Sequence, residues 1–190
     1  FPAERPGIVH RLDKGTSGLL AVARSAEAYE GLSGQLATRT MERRYLALVE
    51  GAVVDERGEI DAPIGRSTRT PTKMAIAAGG KPARTRYVVQ ERWDGPPPTT
   101  LLELSLQSGR THQIRVHMAA IGHPVVGDAR YGTVDRRLGS GRFFLHAWRL
   151  AFEHPKSGER MEFEAPMPPD LSAFLTGQGP AGGAAVRGES

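Results

Sequence analysis

The chain of 190 residues contains no cysteine. That excludes disulfide staples, thiolate metal sites and a cysteine nucleophile, and it suits a reducing compartment, so a cytoplasmic protein is expected. No apolar run approaches the about 20 residues needed to cross a bilayer. The opening Phe1-Pro2-Ala3-Glu4-Arg5-Pro6 also lacks the apolar stretch of a signal peptide, and no membrane partner is expected. Acidic residues are missing from one long stretch: none lies between Ala62 and Gln90, where Arg66, Arg69, Lys73, Lys81, Arg84 and Arg86 all fall. The net charge of +4 hides this concentration. A basic block of this kind produces a positive field suited to phosphate backbones; the plainer alternative is a solvated basic loop.

Glycine-rich phosphate loops of the P-loop or dinucleotide type are absent, as is a Gly-x-Ser-x-Gly elbow. What is present is an ordinary globular composition, 39% hydrophobic, within the size of one domain plus a tail. Apolar spacing predicts a buried strand over 19–24 and a helix over 26–37 capped by Ser25. Further strands are predicted over 44–49, 85–90, 100–107, 143–152 and 160–164, and a helix over 111–121 stopped by Gly122. Helices that are not regularly interposed between strands indicate an α+β fold. After Phe174 the sequence turns Gly- and Ala-rich, so residues 175–190 are expected to be a disordered tail behind a folded unit of residues 1–174.

Three stretches could carry chemistry. In "GIVHRLDKGTSGLLAVARS" one carboxylate, Asp13, sits among His10, Arg11 and Lys14, and ordinary turn chemistry at Asp13-Lys14-Gly15-Thr16 accounts for it equally well. In "SGRTHQIRVHMAAIGHPVVGD" a helix start gathers Arg110, Thr111, His112, Arg115 and His117, an arrangement suited to anions. In "ERRYLALVEG" Tyr45 follows two arginines at the start of a strand, where its ring faces either a cleft or the core. His112 and His117 stand five apart with no glutamate between Arg110 and Asp128, which fits poorly with the i, i+4 pairing of helical zinc sites, so no metal is expected.

Taken together and in order, "HRLDKGTSGLLAVARS", "RRYLALVEG", "GKPARTRYVV", "SGRTHQIRVHMAAIGHPVVGDARYG" and "FLHAWRLAFEHPKSGERMEFEAPMP" resemble the RluA family of RNA pseudouridine synthases, and within it the RluD branch. The resemblance runs from residue 7 to about residue 171. It implies the pseudouridine synthase catalytic fold, a mixed, largely antiparallel bent sheet with flanking helices, acting on uridines of large-subunit ribosomal RNA as a monomer without cofactor or metal. Family members begin this domain with an upstream strand, and the RluD branch adds an S4-like RNA-binding domain, so the N-terminal part of the domain is expected to be missing from these residues.

Residue by residue, Asp13 matches the catalytic aspartate of the His-Arg-Leu-Asp motif, whether that carboxylate attacks the sugar, attacks the base or works through a glycal. Arg115 matches the arginine that keeps it ionised, which answers why a carboxylate should sit among cations beside a polyanion. Tyr45 matches the tyrosine that stacks on the base and is proposed to remove a proton. Arg11 matches the residue that fills the space of the extruded nucleotide, and Leu145 an apolar wall of the base pocket. His10, Arg110, Thr111 and His112 are expected at the RNA or base, and Arg66, Arg69 and Lys73 on its phosphates. Two other classes stand beside this reading: a catalytically inactive RNA-binding or ribosome-assembly module of the same fold, and a phosphate-ester hydrolase built on His112, His117 and His123.

Overall fold

A computed structural model describes residues 7–178. Its elements are β1 (Ser17–Gly18), α1 (Ala26–Thr38), β2 (Glu42–Glu50), β3 (Arg57–Asp61), β4 (Ile64–Arg66), β5 (Met74–Ile76), β6 (Arg84–Trp93), β7 (Thr99–Leu106), α2 (Gln113–Ala120), a 3-10 turn over Arg136–Leu138, β8 (Leu145–Glu153), β9 (Arg160–Glu164) and α3 (Pro169–Thr176). Seven strands form one sheet in the order β1-β8-β2-β7-β6-β3, with β9 also on β8. β1 takes up residues 146–147 on that edge of β8 and β9 residues 149–153. Only the β1–β8 pair is parallel, which makes the sheet mixed and largely antiparallel. No helix among the described residues is long and apolar enough to cross a membrane.

Strand β2 organises the interior because successive side chains point to opposite faces. Tyr45, Ala47 and Val49 join Ile114 and Met118 of α2 in one core cluster, while Leu48 on the other face joins Leu171 and Phe174 of α3 in a second. A third cluster seats α1, through Leu32, against Met41 and Leu150. Ser25 caps α1 by accepting from the Ala28 N–H at 3.1 Å, as its position predicts.

Four expectations need correction. Residues 19–24 do not form a strand. Only Ser17–Gly18 pairs with β8, Val22 makes an isolated bridge to Ile8, and the Ala21 N–H donates to the His10 ring instead of to a strand. The basic block ahead of the expected strand at 85–90 is not mostly exposed loop, since it holds the β4–β5 hairpin. Its charge is also smaller than the sequence suggests: Arg84 pairs with Asp61, and Arg86 with Glu59, across from it on β3. Finally, α3 continues to Thr176 with Leu175 packed on its cluster, so the folded chain passes residue 174; residues 179–190 of the expected tail lie outside the described residues. The helix begins with Pro169 in its first turn, a start signal that the flanking prolines obscured.

Candidate active site

The first wall of the site is the loop before β1. Leu12 packs on the cluster that contains Tyr45, and the next residue, Asp13, opens a turn closed by the Thr16 N–H donating to its carbonyl at 2.9 Å. Gly15 completes that turn at φ +98°, where a Cβ would lie 2.5 Å from the Gly141 carbonyl oxygen. Gly18, at φ +109°, passes so close to β8 that a Cβ would meet the Ala147 carbonyl oxygen at 2.1 Å. The small residues after Asp13 thus admit the chain's own backbone. His10 accepts the Ala21 N–H on Nε2 at 3.0 Å, which leaves its proton on Nδ1. Burial, helped by the charge of Arg43, lowers the His10 pKa to about 4, and the ring is neutral at pH 7.

Behind Asp13 lies a chain of charges. Arg115 donates from Nη1 to the Asp13 carboxylate at 3.3 Å, and from Nε and Nη2 to the two carboxylate oxygens of Asp128 at 2.7 and 2.8 Å. Asp128 is therefore its principal partner, a planar bidentate pair of the strong kind. The Asp128 side chain is 1% exposed, and it also accepts the N–H groups of Arg130 and Tyr131. Burial works to raise its pKa, but the bonds and charge of Arg115 and these two N–H groups outweigh that and hold it below the usual carboxylate range. The guanidinium also lies over the rings of Phe143 and Tyr131, 4.4 and 5.1 Å from their centroids. With two of its nitrogens held by Asp128, Arg115 directs its remaining nitrogen to Asp13, whose side chain is 16% exposed.

The floor comes from β2 and β8. Arg43 and Tyr45 are both buried and share a face, and a register shift between Arg44 and Tyr45 skips Trp148 on β8. Such bulges re-aim side chains next to active sites. Leu145, opposite Ala47, completes the apolar part. Burial raises the Tyr45 pKa, with the charge of Arg43 opposing and that of Asp13 reinforcing the rise, so Tyr45 is a neutral phenol at pH 7. It offers a ring face and an oxygen lone pair, and the phenolate is not populated.

A cavity of about 440 Å³ opens over these groups, lined among others by His10, Arg11, Asp13, Tyr45, Arg110, Thr111, His112 and Leu145. Eight of the expected residues therefore share one cleft, with Arg115 directly behind Asp13. Arg66, Arg69 and Lys73 do not line it. Lys73 instead bonds the Arg130 carbonyl, 6.0 Å above the Tyr131 ring, and so ties the β4–β5 hairpin to the outside of the charge chain. Tyr131 is the joint: its oxygen accepts the Met74 N–H at 3.1 Å and shares a bond of 2.8 Å with His112 Nδ1. The three histidines considered for a metal do not converge. His117 is bonded to Thr85 and the Ala62 carbonyl and His123 to the Glu50 carbonyl, and no group of three metal-ligating side chains exists among the described residues. The hydrolase reading loses its residues.

The family described as RNA pseudouridylate synthase matches residues 2–120. The chain belongs to that family. It is 49% identical over 178 residues to the ribosomal large subunit pseudouridine synthase D of Nitrosomonas europaea, covering 90% of this chain and 51% of that protein. It is 47% identical to an uncharacterized RNA pseudouridine synthase of Bacillus subtilis, covering 90% of this chain and 55% of the relative. The chain thus spans about half the length of these curated relatives. Among solved structures, human RNA pseudouridylate synthase domain containing 1 superposes with a TM-score of 0.74 at 36% identity, over 87% of this chain and 71% of that one. The architecture is that of the pseudouridine synthase fold.

Proposed function

We propose that the protein isomerises uridine to pseudouridine in large-subunit ribosomal RNA, with Asp13 as the carboxylate that starts the rearrangement. The observation that carries this is the placement of Asp13: a carboxylate at a cleft wall, held by a fixed guanidinium, beside a neutral tyrosine. Family membership and the name of the Nitrosomonas relative support the reaction and the RNA class. In the reaction the bond from uracil N1 to the sugar C1′ breaks and a bond from C5 to C1′ forms; the proton on C5 is lost and N1 takes one up. Every atom is conserved, and the balance calls for no oxidant, metal or co-reactant.

The remaining residues divide the work. Arg11, exposed at the rim, fills the stack vacated by the flipped nucleotide, a step that costs a few kcal/mol. Tyr45 and Leu145 sandwich the base, and the phenol oxygen of Tyr45 relays the C5 proton, taking it up only as its own O–H proton passes on to water. His10, Arg110, Thr111 and His112 line the path of the nucleotide, and Arg66, Arg69 and Lys73 grip phosphates outside it. Tritium release from large-subunit RNA labelled at uridine C5 tests the reading. Release that saturates at a small whole number of sites per RNA is expected. Tight RNA binding with no release would favour an inactive RNA-binding module.

A further inference from the structure

Three cavity-lining residues hold buried polar atoms with no partner among the described residues: His10 Nδ1, Thr16 Oγ1 and Arg43 Nε. Two of these are obligate donors, because His10 spends Nε2 as an acceptor and guanidinium nitrogens only donate. Arg43 is the most unusual. It is 8% exposed, yet its side chain makes no hydrogen bond or ion pair among the described residues, whereas Arg44 beside it pairs with Glu103. Buried charges are ordinarily paired, since an unpaired one costs several kcal/mol. The guanidinium lies against Gly109, where a Cβ would stand 2.8 Å from Nη1, so the bare glycine keeps room for it.

We propose that Arg43, with the neighbouring His10 Nδ1–H, forms an anion site in the cleft that takes a backbone phosphate of the nucleotide being modified. This rests on the function proposed above and names what that site grips. Charge supports it. Asp13, Arg115 and Asp128 together leave one net negative charge at the cleft wall, which repels a phosphate. His10 stays neutral and adds a donor without charge, so among the described residues Arg43 supplies the only full positive charge on the buried part of the cavity lining, Arg11 and Arg110 being exposed at its rim. A phosphate oxygen carries the acceptors that these donors lack. The same charge also restrains the rise in the Tyr45 pKa.

The probes are uridine and uridine 3′,5′-bisphosphate, titrated into the intact protein and followed through the Arg43 Nε–H signal by NMR. The bisphosphate is expected to bind about tenfold or more tightly than uridine, as one charged hydrogen bond provides, and to move that signal downfield. Arg43→Gln should erase the preference without lowering Tm, and Arg43→Met should raise Tm, because a buried charge that lacked a partner has been removed. A residue of merely structural importance would lower Tm in both. If Arg43→Gln does not fold, Gly109→Ala, which pushes the guanidinium aside, should erase the preference instead. Equal binding of the two probes by the wild type, no measurable binding of the bisphosphate, or a preference that survives in Arg43→Gln overturns the site. These titrations need no turnover: failure of tritium release in the wild type would count against the reaction alone, and failure here against the anion site alone.

Discussion

The two walls of the cleft handle buried charge in opposite ways. On one, Asp13, Arg115 and Asp128 satisfy one another, with Arg115 packed over two aromatic rings and Asp128 anchored on backbone N–H groups. On the other, His10, Thr16 and Arg43 bury polar atoms with nothing to bond among the described residues. A preorganised wall is finished before substrate arrives and stabilises the fold. An unfinished wall costs stability, and its hydrogen bonds are completed only by what enters. The contrast separates residues that hold machinery in place from residues that wait for a ligand.

The finished wall should be the more damaging to disturb. Asp128→Asn removes the charge paired with Arg115 and one of the two acceptors of the bidentate pair, and loss of a buried ionic partner typically costs about 3 to 5 kcal/mol. That corresponds to a fall in Tm on the order of 10 °C for a chain of this size. Activity should fall with it, because the nitrogen that faces Asp13 is no longer aimed. A variant that melts with the wild type would mean that Asp128 is a bystander.

Acid should strain both walls. His10, His112 and His117 all have pKa values lowered, in each case chiefly by burial. The unfolded chain therefore binds protons that the native state refuses, and stability rises with pH through the window where they differ. Below the ordinary value of 6.5, stability is lost progressively, for His10 down to about pH 4. Denaturant midpoints measured between pH 8 and pH 4 should show the loss beginning near pH 6.5, and His10→Gln should shrink it. A flat profile to pH 5 would contradict the buried neutral assignment.

The hairpin should give the smallest effect on the chemistry. Arg66, Arg69 and Lys73 have no carboxylate partner among the described residues, unlike Arg84 and Arg86. Replacing the three together should weaken RNA binding and flatten the dependence of log affinity on log salt by about 0.7 to 0.9 for each phosphate that is no longer neutralised. Single-turnover chemistry at saturating RNA should change little. An unchanged salt slope would make the hairpin a solvated surface.

Much of the cleft was legible because its residues sit in contiguous motifs: Asp13, Tyr45, Arg115 and Leu145 each fall in one of the five family-like blocks, and the strands over 42–50 and 160–164 follow their apolar alternation closely. What was hidden depends on pairing through space. Asp128 stands in such a block, but nothing local shows that it takes two of the Arg115 nitrogens from 13 residues away. The neutralisation of Arg84 and Arg86 comes from a strand that precedes the basic block. Arg43 carried a usable signal, since period two puts it on the face of Tyr45, but its lack of a partner is visible only in three dimensions. The apolar run at 19–24 misled because, past the Leu19 N–H bond to β8, its backbone serves the His10 ring and the preceding loop.

The Asp13 carboxylate is proposed to perform the chemistry while its surroundings only hold it and the RNA, and one substitution addresses that division directly. Asp13→Asn keeps the size of the side chain and can still accept from Arg115, but it removes the charge and the nucleophilic oxygen. Measured side by side on the same RNA, tritium release should disappear while RNA affinity stays within a few-fold of the wild type. Tritium release by purified Asp13→Asn at a rate near that of the wild type would contradict the account.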